Sequence, residues 1–109
     1  MFNKGNMGQL LKQARDVQKN IEKVQNELDE LIIEADSGGG MVKVVVNGKQ
    51  QVLELTIDPD AIKEDKELLE DLIISAINNG LSKSLEESQS RMNAVTGNML
   101  GGMNIPGLG

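Results

Sequence analysis

Residues 36–49, DSGGGMVKVVVNGK, set three glycines between a charged stretch and a valine-rich one. Their reading decides the fold, because glycine triplets serve both as phosphate cradles and as places where the backbone reverses. A phosphate loop needs a strand before it and a helix N-terminus after it, usually with a Lys-Ser/Thr pair. Here Met41-Val42 and an apolar run follow instead, so a turn between two strands is the favoured reading.

On the C-terminal side of the triplet, residues 41–57 read as a hairpin, with Asn47-Gly48 supplying the two positive φ angles of a two-residue turn. With Val46 opposite Lys49, Val44 faces Gln51 and Val42 faces Leu53. Val42, Val44, Val46, Leu53, Leu55 and Ile57 then share the better core face, and Lys43, Val45 and Glu54 lie on a mixed one. A lone hairpin is marginal in water, so residues 32–36 are expected as a third strand of an antiparallel meander. Asp58-Pro59 stops the sheet, since proline cannot donate to a ladder.

Long helices are expected on either side. From about residue 6 to 31, Met7, Ala14, Ile21 and Leu28 alternate at steps of 3 and 4 with Leu10, Val17, Val24 and Leu31. This is a heptad seam over more than three repeats. Such a helix is roughly 39 Å long at ~1.5 Å per residue, against a radius of gyration of ~13 Å for a compact 100-residue domain. Part of it must project, and its seam (Leu10, Ala14, Val17, Ile21, Val24, Leu28) needs a partner, either within one chain or in a second copy. The other helix is expected to start after Asp65 as N-cap, with Leu69, Leu72, Ile73, Ala76, Ile77 and Leu81 covering the sheet. It then narrows to Leu85, Ser88, Met92 and Val95. Gly97 is expected to end it, leaving residues 1–96 as one domain and the glycine-rich residues 97–109 as a loose tail. The fold class is α+β: long helix, three-stranded antiparallel meander, long helix.

Composition removes several kinds of chemistry. The 109 residues include no cysteine and no histidine, and Phe2 is the sole aromatic. Disulfides, thiol catalysis, the usual zinc sites and imidazole acid–base chemistry are therefore absent. Glu27, Asp29, Glu30 and Glu34, or Glu64, Asp65, Glu67, Glu70 and Asp71, could in principle gather around Mg²⁺, but acidic first turns and solvated helix faces are far commoner. No nucleophile stands beside a base, so no enzyme activity, cofactor or metal is expected. The N-terminus MFNKGNMGQLLKQ lacks the apolar core of a leader, and no run approaches the ~20 residues that span a bilayer. A soluble cytoplasmic protein without membrane contact is the expectation.

The net charge of −6, with a pI near 4.6, argues against attraction of the whole molecule to nucleic acid. Its distribution differs from the total. Residues 1–23 carry Lys4, Lys12, Arg15, Lys19 and Lys23 against Asp16 and Glu22, a net of +3, which leaves −9 on the remainder. In the heptad frame Lys12, Arg15, Lys19 and Lys23 all point away from the seam as one stripe, which Lys83 and Arg91 could extend. An ordinary solvated face or a helix that docks in a protein groove would look similar. On a projecting rod such a stripe also suits duplex phosphates, whereas the missing aromatics disfavour stacking on single strands. Four or five cations are few, so two or more copies would be needed.

Several motifs together carry a family likeness: Met7-Gly-Gln-Leu-Leu-Lys-Gln-Ala14, Gly39-Gly-Met-Val-Lys-Val44, Ile57-Asp-Pro59, Asp65-Lys-Glu-Leu-Leu-Glu-Asp-Leu72 and the tail with Ile105-Pro-Gly107. Over nearly the whole chain the sequence resembles the YbaB/EbfC family of bacterial nucleoid-associated proteins. The resemblance implies a tweezer-shaped homodimer on the nucleoid that binds duplex DNA with weak sequence preference, alters its conformation, and catalyses nothing. It also implies DNA contact by the helical arms, which fits Lys12, Arg15 and Lys19, followed by Lys23, Lys83 and Arg91. A structural adaptor for replication or recombination proteins, with incidental DNA contact, is the alternative.

Overall fold

The computed structural model describes residues 4–100. Its elements are α1 (Lys4–Glu30), β1 (Ile33–Ser37), β2 (Val42–Val46), β3 (Val52–Ile57), α2 (Pro59–Ile62) and α3 (Lys66–Leu100). The strands form one antiparallel sheet in the order β1-β2-β3. The molecule extends 73 × 28 × 16 Å with a radius of gyration of 20.9 Å. That is well above the ~13 Å of a compact domain of about this length, so the long helices do project.

The glycine triplet is a turn. Gly38, Gly39 and Gly40 have φ of 59°, 66° and 96°, the left-handed region that side chains avoid. Gly40 N–H donates to the Ser37 carbonyl at 3.2 Å, closing β1 onto β2. Ser37 Oγ–H in turn donates to the Leu72 carbonyl at 2.5 Å, so the turn is tied to α3 as well.

The second turn departs from expectation. Val42 pairs with Ile57, Val44 with Leu55 and Val46 with Val52, leaving Leu53 as an extra residue at a β-bulge. The connection is thus a five-residue loop, residues 47–51, in place of a two-residue turn at Asn47-Gly48. Asn47 is the reason, because its side chain completes the loop internally. Its Oδ1 accepts from Lys49 N–H at 2.9 Å and from Gln51 N–H at 3.1 Å, and Nδ2 donates to Gln51 Oε1 at 2.7 Å. Gln50, with φ of 62°, takes the left-handed position instead of Gly48. Gly48 is needed for space. Its N–H donates to the Leu28 carbonyl at 2.7 Å, and a Cβ there would stand 2.8 Å from that oxygen.

The core lies between the sheet and α3, where Ala35, Val42, Val44 and Val46 meet Ala76, with Leu69, Leu72, Ile73 and Ile77 packed around them. Gly80 allows the close approach, since a Cβ would come within 3.0 Å of Val44 Cγ2 and 3.2 Å of Val46 Cγ1. α3 covers β1 and β2 much more than β3. As a result Leu53 and Leu55, expected in the core, are 52% and 42% exposed.

Two helix boundaries also differ. Asp58 starts a short extra helix, α2, by accepting from Asp60 N–H at 2.8 Å, with Pro59 fitting its first turn because that position needs no N–H donor. α3 begins immediately after Asp65, whose carbonyl accepts from Leu69 N–H. It runs past Gly97 to Leu100, because one glycine costs a helix only about 1 kcal/mol relative to alanine and does not stop it. The expected tail beyond that point, residues 101–109, lies outside the described residues.

Gly48→Ala should push the loop off the end of α1, because two of the three crowding atoms, Leu28 O and Cα, are backbone and cannot rotate away as Leu28 Cδ2 can. A loss of about 1–3 kcal/mol is expected from the urea midpoint at unchanged slope.

Candidate nucleic-acid interface

The base of α1 is fixed by the 47–51 loop and by α3. Val24 and Leu28 are buried, and Val17 and Ile21 are half-buried. Arg91 Nη1 lies 3.9 Å from Glu27 across the two helices, and Lys49 Nζ lies 3.2 Å from Asp29. The opposite side of the loop is held by Ser84. Its buried Oγ–H donates to the Asn47 carbonyl at 2.7 Å, and the same oxygen accepts from Gln50 N–H at 3.1 Å. The seam therefore closes within one chain at its base. Toward the N-terminus it opens, and Leu10 and Ala14 are exposed.

Lys12, Arg15, Lys19 and Lys23 are exposed along α1. None of the four has an ion-pair or hydrogen-bond partner among the described residues. At about 1.5 Å rise per residue the stripe is roughly 16 Å long, and its spacings of 3, 4 and 4 keep the cations within about a quarter of the helix circumference. Successive phosphates on one strand are ~3.4 Å apart along a duplex axis, so a stripe of this length lies within reach of several.

Lys83 and Arg91 are placed differently. Arg91 Nε–H donates to Glu87 Oε1 at 3.0 Å while the same guanidinium faces Glu27, so its charge is already matched inside the protein. Lys83 Nζ donates to the Glu34 carbonyl at 3.3 Å and borders a hollow with Glu86 and Glu87. Neither joins the free stripe. On the sheet face away from α3, a hollow of about 490 Å³ is lined by Glu34, Asp36 and Glu54 around Lys43, a surface that repels phosphate. Among the described residues no three acids are grouped to hold a metal ion, and no helix is long and apolar enough to cross a membrane.

The sequence reading missed the roles of Asn47 and Ser84. A signal for the second was present: Ala76, Gly80 and Ser84 form a row of small residues at four-residue spacing, which marks a helix line pressed closely against its neighbours.

An elongated α+β body with unpaired cations along a projecting helix has the build by which proteins meet the phosphate backbone of nucleic acid. The chain belongs to the YbaB/EbfC DNA-binding family, whose sequence pattern matches residues 3–99. It is 43% identical over 104 residues to a nucleoid-associated protein of Thermoanaerobacter pseudethanolicus, covering 94% of this chain and 90% of that one. It is 44% identical over 105 residues to one of Ruminiclostridium cellulolyticum, covering 95% and 89%. The crystal structure of an uncharacterized protein from Helicobacter pylori superposes with a TM-score of 0.69 at 28% identity, over 92% of this chain and 99% of the other. The family is defined by DNA binding and not by a catalysed reaction.

Arg91→Gln should leave the salt dependence of DNA binding unchanged and lower stability by no more than about 1 kcal/mol, as befits a half-exposed ion pair. Gel shifts at two salt concentrations, with urea unfolding alongside, check both halves of this expectation.

Proposed function

We propose that this protein acts in the cytoplasm, on the nucleoid, as a homodimer that binds duplex DNA with weak sequence preference. Basic stripes on paired arms hold the phosphates and change the conformation of the duplex, with effects on nucleoid organisation and gene expression. The observation that carries this reading is the row Lys12, Arg15, Lys19 and Lys23, unpaired within a chain of net charge −6. Four cations give too little attraction alone, and a second copy doubles them. β3 supports a dimer, because its outer edge has no neighbouring strand among the described residues and Leu53 and Leu55 lie uncovered beside it. The lack of base-stacking aromatics and the predominance of phosphate-directed cations support weak sequence preference.

Replacing Lys12, Arg15 and Lys19 together by glutamine should weaken DNA binding and flatten its salt dependence. With the three cations of each arm neutralised in both copies, the slope of log K against log salt falls by up to about 5. A slope equal to that of the parent protein, measured between about 50 and 200 mM salt, would remove the stripe from the interface.

The dimer has its own test. Leu53→Glu combined with Leu55→Glu should give an 11.8 kDa species in sedimentation where the parent gives twice that mass. A parent chain that stays monomeric at high concentration would end the paired-arm reading.

A further inference from the structure

The N-terminal part of α1 outruns the helix beside it. Arg91 lies against Glu27, and Leu31 to Ile33 border Lys83, Glu86 and Glu87, so α1 and α3 run antiparallel. At equal rise, Leu100 stands level with about residue 18 of α1, which leaves roughly 21 Å of α1, back to Lys4, past the last described residue of α3. This overhang is not a polar rod. Met7, Leu10 and Leu11 are 55%, 54% and 60% exposed, on the same heptad frame that buries Val24 and Leu28 lower down.

The residues that flank the overhanging seam say what can cover it. Leu11 and Gln18 occupy one flanking position of the heptad, and Gln13 and Asn20 the other. None is charged. The charges Lys12, Arg15, Asp16 and Lys19 all lie on the far side. In paired helices the flanking charges decide which partners are accepted, and like charges there would drive an identical helix away. In an antiparallel pairing Lys4 falls beside the neutral Val17 and Gln18 of the other copy, so no like charges meet to oppose self-pairing. An antiparallel contact with a second copy places a two-fold axis between Leu10 and Leu11, bringing the four exposed leucines together.

We propose that the arm tips of separately bound dimers pair through this seam and so link dimers to one another on DNA. The proposal rests on the DNA-binding dimer described above. The basic stripe faces away from the seam, so both contacts can be made at once. Three or four side chains per arm fall well short of the ~800 Å² per partner of a standing complex. Pairing therefore needs the raised local concentration that a shared duplex supplies.

The chain has no cysteine, so Leu11→Cys in the full-length protein carries a single thiol at the centre of the contact. Treated with a short bismaleimide, this variant should crosslink on a long duplex, and should not do so free in solution or on a short duplex holding one dimer. Met7→Gln with Leu11→Gln should keep the parent's affinity for the short duplex and lose about tenfold or more on the long one, the scale of a missing multivalent link. Crosslinking without DNA or on the short duplex, none on the long one, or a double variant that keeps the parent's long-duplex affinity, would each overturn tip pairing. Failure of the parent protein to bind the short duplex would instead strike at the DNA-binding reading beneath it.

Discussion

The structure depends on how closely α3 can lie on a sheet that has no aromatic side chain to fill a gap. Ala76 and Gly80 bring the helix axis down onto Val42, Val44 and Val46, which are buried almost completely. β-branched side chains suit both ends of this arrangement: they favour the extended backbone and present a firm, shallow surface to the helix. The consequence is a narrow core. Only two of three strands lie under the helix, and the apolar residues of β3 remain uncovered by their own chain.

The same row of small residues continues to Ser84, and there packing passes into hydrogen bonding. Ser84 fixes the 47–51 loop from one side, while the Leu28 carbonyl and Asp29 fix it from the other. The direction of α1 is thereby set by the sheet as well as by α3. Electrostatics then separates the two ends of the molecule. Cations along the outer face of α1 are left without partners among the described residues, while those on α3 are matched: Lys66 by Glu70, Lys83 by the Glu34 carbonyl and Arg91 by Glu27 and Glu87. A net acidic protein can in this way offer phosphate one cationic surface.

Element types and order were legible in the sequence because periodicity is a local property. The 3–4 spacing from Met7 to Leu31, the alternation at Val42, Val44 and Val46, and the glycine triplet all lead to the observed elements. The hairpin register was not, because it turns on Asn47 capturing its own loop and on a bulge at Leu53, and both compete with the Asn-Gly turn only in three dimensions. The end of α3 was missed because glycine lowers helix stability without abolishing it. Of the site, the exposure of Lys12, Arg15, Lys19 and Lys23 follows from the heptad frame. The engagement of Arg91 and Lys83 does not, since their acceptors, Glu27 and the Glu34 carbonyl, lie far away in the sequence.

Anchoring α1 only at its base makes it a lever. The part of the arm before Val17 is about 20 Å long, so a bend of roughly 10° where it leaves α3 moves its free end by about 3–4 Å. That displacement approaches the difference of about 6 Å between the widths of the two grooves of B-form DNA. A pair of such calipers would accommodate local variation in groove width by bending where each arm leaves α3, with the sheet and its valine core left undisturbed.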